Sequence, residues 1–196
     1  MAKNESRVAL LVGATGLTGS ALLPLLLSAT QYSQVHVLAR RPLAHAGTTA
    51  KLVRHVVDFD ALASWRGFPH VDDVYCCLGT TIRVAGSQAA FRRVDCDYVV
   101  ETARCARARG ARRLVVISAM GAGARSLVFY NRVKGEMEDA VRALGFDSVT
   151  LVRPSFLAGD RAQSRPGERL ALAFTGLLEP LIPKKYRTYG KLPPTK

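Results

Sequence analysis

The sequence predicts an α/β protein: a doubly wound parallel sheet with helices on both faces. Three observations lead there. Apolar runs of strand length alternate with longer helical stretches from Arg7 to Val152. The first run passes into its helix through the turn Gly13-Ala14-Thr15-Gly16-Leu17-Thr18-Gly19. The two long helical stretches further on each close on a glycine, Gly110 and Gly145. Right-handed crossovers between two βαβαβ halves then give the strand order 3-2-1-4-5-6. In such a sheet ligands bind beyond the carboxyl ends of the strands, between strands one and four.

Arg7 to Val12 is the first strand, and Leu17 to Ala29 the first helix, which Pro24 is expected to kink mildly. In the turn between them, Gly13 permits a bend that a Cβ would obstruct, Gly16 lets the backbone approach a phosphate, and Gly19 lets the helix lie close to the strand. The free N–H groups and positive dipole end of that helix favour an anion. Gln34 to Ala39 alternates apolar and polar and is the second strand; Lys51 to Val57 is the third. Asp60 to Trp65 is a short helix with Asp60 as its N-cap. Val71 to Leu78 is the fourth strand, ending at Gly79, and one long helix is expected from Ser87 to Arg109. Arg113 to Ser118 is the fifth strand, followed by a Gly/Ala loop, a helix from Leu127 to Leu144, and a sixth strand, Ser148 to Val152, stopped by Arg153-Pro154. Beyond it a loop at Ser164 to Glu168 leads into a helix, Arg169 to Leu178, and the Pro/Lys tail from Lys184 is expected to be poorly ordered.

A chain of 196 residues is one domain, taken as 1–185 with a small substrate-side segment from about 153 and a tail at 186–196. Apolar residues make up 48%, within the globular range. The net charge of +13 raises nucleic acid, an anionic membrane or a phosphorylated ligand as partners. The arginines are scattered, with no aromatics between them, so a solvated basic surface is favoured over specific nucleic-acid binding. Cys76, Cys77, Cys96 and Cys105 contain no C-x-x-C pair, and His36, His45, His55 and His70 have no ligand spacing, so reduced thiols and no metal are expected. The opening Met1-Ala2-Lys3-Asn4-Glu5 is not a signal peptide, and the apolar stretch at 21–29 is shorter than the roughly 20 residues a bilayer span takes. The expectation is a cytoplasmic protein, a monomer or a homodimer paired through the two long helices.

Arg40-Arg41-Pro42 follows the second strand. A dinucleotide site selective for NAD places an acid there, on the ribose 2′-hydroxyl. Guanidiniums instead suit a 2′-phosphate and stack on adenine, although ordinary solvated charges would look the same. Asp58, after the third strand, could accept from an adenine amino group or cap the helix that follows. In Tyr130-Asn131-Arg132-Val133-Lys134, residues four apart share a helical face, so Tyr130 and Lys134 project together. An ammonium beside a phenol favours the phenolate, which suits a tyrosine passing a proton to or from a carbonyl oxygen. Ser118, ending the fifth strand, can donate to the same oxygen. The Tyr/Lys spacing alone is a frequent accident; the glycine turn upstream and Ser118 before it make it specific.

Four further segments bear on identity: Cys76-Cys77-Leu78-Gly79-Thr80-Thr81, Val94-Asp95-Cys96-Asp97-Tyr98-Val99, Arg153-Pro154-Ser155-Phe156-Leu157 and Ser164-Arg165-Pro166-Gly167-Glu168. With them the chain resembles an atypical short-chain dehydrogenase/reductase. More narrowly, it is similar to the Tat-interacting-protein oxidoreductase family and its bacterial relatives, over roughly residues 7 to 185. The resemblance implies a Rossmann fold binding NADP(H). It implies Gly13, Thr15, Gly16, Leu17 and Thr18 around the pyrophosphate, and Arg40 and Arg41 at the 2′-phosphate. Leu78 and Gly79 would lie along the ribose and nicotinamide, and Pro154, Phe156 and Leu157 would flank the nicotinamide. Ser118, Tyr130 and Lys134 would be catalytic, with Lys134 also on the nicotinamide ribose. The implied function is an NADP(H)-dependent oxidoreductase acting on a small carbonyl or alcohol; the alternative is a non-catalytic NADP(H)-binding regulator that contacts a protein. Two departures stand out. Asp95 occupies the place of an asparagine found in many members, and where the resemblance implies a further strand and closing helix after Arg187, a Pro/Lys tail is expected instead.

Overall fold

The computed structural model describes residues 6–43 and 49–154. The expected loop and helix at 164–178, the tail at 186–196 and the domain limit at 185 lie outside the described residues.

Strand β1 (Arg7–Val12) runs through the middle of the sheet because both of its faces are apolar. Ala9 and Leu11 point to one side and Leu10 and Val12 to the other, and all four are closed to solvent. It pairs in parallel with β2 (Tyr32–Ala39) on one edge and with β4 (Asp73–Cys76) on the other. β3 (Leu52–Val56) flanks β2, while β5 (Arg113–Ile117) and β6 (Ser148–Val152) extend the sheet beyond β4. The order is 3-2-1-4-5-6, as the alternation of elements predicts. Helix α1 (Leu17–Ser28) covers one face through Leu23 and Leu26, against Ala9, Leu11, Val35 and Val37. The other face lies under a 3-10 turn (Phe59–Ser64) and the helices that follow β4 and β5, where Leu62, Phe91, Val99, Val133 and Met137 meet Leu10, Val12, Val74 and Leu114. Each such side chain contributes roughly 1.5–3 kcal/mol on burial.

Two expectations are corrected and a third is refined. β2 starts at Tyr32 rather than Gln34, because the Tyr32 hydroxyl donates to the buried Asp73 carboxylate at 2.6 Å and ties the strand in early. The 3-10 turn starts at Phe59, whose ring is buried, so its N-cap is Asp58 and not Asp60: the Asp58 carboxylate accepts from the Asp60 N–H at 2.9 Å. The single helix expected over 87–109 is preceded by a short α2 (Ile82–Ala85) that ends at Gly86 with φ +84°. Ser87 then caps α3 (Gln88–Arg92), its hydroxyl oxygen accepting from the Ala90 N–H at 3.1 Å. A π turn, Arg93–Asp97, joins α3 to α4 (Tyr98–Ala108). Helix α5 (Phe129–Arg142), the last among the described residues, packs beside it.

His36 on β2 and His55 on β3 share the face opposite α1. Nδ1 of His36 and Nε2 of His55 are 2.8 Å apart, and Trp65 meets the His55 ring edge-on at 5.4 Å. Burial, with the neighbouring His55, pushes His36 down to about 4, and burial lowers His55 as well. Both rings are neutral at pH 7 in the native state. Between the ordinary histidine value near 6.5 and about 4, the unfolded chain binds protons that native His36 does not, so stability falls as pH drops through that window and levels off below it. The expected loss from His36 is about 3 kcal/mol. Thermal melts of the wild type and His36→Gln at steps from pH 7 to pH 4 check it. The difference between the two curves should close toward low pH; parallel curves would refute the assignment.

Candidate functional site

Beyond the carboxyl ends of β1, β2 and β4 lies a cleft of about 1250 Å³. Its floor is the glycine turn after β1. Gly13 has φ +84°, and a Cβ there would stand 2.5 Å from the Cys77 carbonyl oxygen, so only glycine lets this turn pass so close to the end of β4. A Cβ on Gly19 would stand 2.1 Å from the Gly13 carbonyl oxygen, which shows how closely α1 is pressed onto the turn. Gly16 is the N-cap of α1. No side chain caps that helix, and its first turn holds no acid. The N–H groups of that turn and the positive end of the helix therefore suit an anion lying against the glycines.

Gly13, Thr15, Gly16, Arg40, Arg41, Leu78 and Gly79 all line this cleft. Arg40 and Arg41 are exposed on it at the end of β2. Leu17, Thr18 and Pro154 are not among the residues that line it. Asp58 is not either, and one of its oxygens is used in capping the 3-10 turn. Phe156 and Leu157 lie outside the described residues. The cleft continues past Gly79 and Thr80 toward Val94 and Tyr98.

Tyr130 and Lys134 stand one turn apart on α5. Tyr130 is half-buried against Phe91, with ring centroids 5.4 Å apart. Lys134 is buried, with Nζ 2.8 Å from Oδ1 of Asp95 and 3.5 Å from the Ile117 carbonyl oxygen. The second oxygen of Asp95 accepts from the Thr80 N–H at 2.8 Å, in the wall of the cleft. Asp95 itself sits in the π turn and is 1% exposed. Gly135 brings α5 onto the glycine loop after β5: a Cβ there would stand 2.1 Å from the Gly123 carbonyl carbon.

Ser118 is not brought into this group as a free donor. It is buried, and its hydroxyl donates to Oε1 of Glu138 at 2.5 Å. Arg153 grips both oxygens of the same carboxylate, and Arg142 approaches to 3.6 Å. Burial pushes the Glu138 carboxyl up, but Arg153, the Ser118 hydroxyl and Arg142 outweigh it and hold the group below the ordinary carboxylate range. Glu138 is therefore ionised at neutral pH, and the proton in that hydrogen bond belongs to Ser118. The pair also braces the strand ends, since the Ser118 N–H donates to the Val152 carbonyl at 2.8 Å.

Asp95 and Glu138 are the members of this neighbourhood whose partnerships sequence reasoning missed. The available signal was placement: Asp95 falls between Phe91 and Val99, and Glu138 between Met137 and Val141, all on buried helical faces. Among the described residues no group of three or more metal-ligating side chains forms, and no helix is long and apolar enough to cross a membrane.

Comparison with known proteins follows the same lines. Residues 13–171 match a family described as NAD(P)H-binding. The chain is 40% identical over 178 residues to protein HTATIP2 of Rattus norvegicus, covering 90% of this chain and 73% of the rat protein. It is 34% identical over 175 residues to the mitochondrial protein fmp52 of Emericella nidulans, covering 86% and 74%. Among solved structures, the Bordetella bronchiseptica enzyme WbmH in complex with NAD+ superposes with a TM-score of 0.64 at 18% identity, covering 85% of this chain and 63% of that one. MoeE5 in complex with UDP-glucose and NAD gives 0.60 at 21% identity, covering 74% and 53%. The chain thus spans between about half and two thirds of these two solved structures, and at such identities the likeness is one of fold.

Proposed function

Since the chain belongs to the NAD(P)H-binding family, we propose that it is an NADP(H)-dependent oxidoreductase acting on a small carbonyl or alcohol. The observation that carries this is the position of Lys134: one turn from Tyr130 on α5, and buried behind the Gly79–Thr80 wall of a cleft floored by glycine. When bound, the nicotinamide supplies or accepts a hydride. The protein's own groups do the rest. The N–H groups at the start of α1, with Thr15, Leu17 and Thr18 in that turn, hold the pyrophosphate against Gly13 and Gly16. Arg40 and Arg41 meet the 2′-phosphate. Leu78 and Gly79, which line the cleft, would lie toward the nicotinamide; Pro154, Phe156 and Leu157 are assigned to its flank by the family resemblance alone. Tyr130 passes a proton between its hydroxyl and the substrate oxygen, and Lys134 orients the tyrosine and the nicotinamide ribose. A cytoplasmic location is part of the proposal and rests on four free cysteines; the fungal relatives are named mitochondrial.

One observation favours the second reading, a nucleotide-binding regulator without catalysis. The hydroxyl expected to orient a substrate oxygen is already donating to Glu138.

The cofactor half of the proposal is tested by calorimetric titration of NADPH and NADH at one fixed salt concentration. Charge-assisted contacts from Arg40 and Arg41 should favour NADPH about ten- to a hundredfold. Replacing both arginines with alanine should remove most of the preference, weakening NADPH far more than NADH, which loses only the stacking on adenine. Equal affinities in the wild type, or a preference for NADH, overturn this part.

A further inference from the structure

We propose that Asp95 sets the oxidation-state preference of the nicotinamide at this site, by cancelling the charge of Lys134 beneath it. The inference rests on the cofactor reading above. Lys134 and Asp95 are both almost closed to solvent, their side chains 4% and 2% exposed. They lie directly behind the cleft: Thr80 donates its N–H to Asp95, and a Cβ on Gly79 would stand 3.6 Å from the same carboxylate.

The chemistry requires an acid here and not its amide. Asp95 faces two donors at once, the Lys134 ammonium and the Thr80 N–H. A carboxylate accepts from both, one oxygen to each. An asparagine has one carbonyl oxygen, and its NH2 would face a donor on the other side. The aspartate therefore satisfies both partners and leaves the pair with no net charge.

That neutrality matters because a nicotinamide ring bears one positive charge when oxidised and none when reduced. A lone buried ammonium would repel the oxidised ring and leave the reduced ring unaffected. Within the protein, mobile ions screen such an interaction poorly. Asp95 removes the repulsion, so the site accepts both forms. Acting through Lys134, it is a positioning residue.

The test measures dissociation constants for NADP+ and NADPH, with NAD+ and NADH in parallel. The proteins are the full-length wild type, Asp95→Asn, Lys134→Met and the double variant. Asp95→Asn leaves an uncancelled positive charge, so the ratio of oxidised to reduced dissociation constants should rise about tenfold. Lys134→Met leaves a negative charge and should move the ratio the other way. The double variant restores neutrality and should return it to within about twofold of the wild type. A merely structural role weakens both oxidation states alike and leaves the ratio fixed. An unchanged ratio in both single variants, or a shift that the double variant does not reverse, overturns the inference while the cofactor reading stands. A wild type that binds none of the four dinucleotides overturns both. Should Asp95→Asn fail to fold, the opposite sign expected for Lys134→Met and the return in the double variant still decide.

Discussion

Tyr130→Phe is expected to lower carbonyl reduction by about a hundredfold or more, the usual scale for losing a general acid, while NADPH affinity stays within about twofold. The variant keeps the ring that packs on Phe91 and removes only the hydroxyl. Ser118→Ala should behave differently. Its hydroxyl proton is engaged by Glu138, so turnover should fall by less than about threefold. Stability should drop by about 1–2 kcal/mol, because a buried carboxylate loses a donor. The measurement is NADPH oxidation across a panel of aldehydes and ketones, with a melting curve for each variant. A Tyr130→Phe enzyme with full activity would show that another group moves the proton. A wild type that binds NADPH yet turns over nothing in a broad panel favours the regulator.

The second large effect concerns the glycine turn, where two neighbouring substitutions should part company. Gly19→Ala places a methyl group 2.1 Å from the Gly13 carbonyl oxygen and 2.7 Å from its carbon. Those are backbone atoms and cannot swing away, so α1 has to lift off the turn. A cost of about 3 kcal/mol is expected, the upper part of the overpacking range, with a fall in Tm of about 6–12 °C. Gly16→Ala meets the same carbonyl at 3.3 Å, which a shift of a few tenths of an ångström relieves. It should melt within about 3 °C of the wild type. Its methyl group nevertheless stands in the anion cradle, so dinucleotide affinity should fall at least tenfold. Scanning calorimetry and titration of both variants separate the two effects. Equal losses of stability would mean that the turn is more compliant than its geometry states.

The frame of the molecule was legible in the sequence because its causes are local. Val8 to Val12 can be buried on both faces, Gly110 and Gly145 can adopt positive φ, and two βαβαβ halves admit few arrangements. The glycine cradle and the Tyr130/Lys134 spacing are local for the same reason. What escaped depends on partners far away along the chain. Lys134 meets Asp95, Ser118 meets Glu138, and Tyr32 meets Asp73, and no short window contains either end of these pairs together. The capping of the 3-10 turn by Asp58 was one of two readings its position allowed, and burial of Phe59 decided between them. The π turn left no clear mark, since no glycine or proline interrupts Arg93 to Asp97 and a π turn has no residue signature of its own.

That turn is also where this helix can change length. In a regular α-helix each added or removed residue rotates everything beyond it by about 100°, which would swing either Phe91 or Val99 out of the core. A π turn is a helix carrying one surplus residue. Removing a residue between Arg93 and Asp97 would restore the regular winding and leave both flanking segments in phase with the sheet. Any such deletion removes Asp95 or shifts it along the helix, so the length change that the core tolerates here disturbs the carboxylate beside Lys134. Drift in chain length, harmless to folding at this point, would be felt first in the charge of the site.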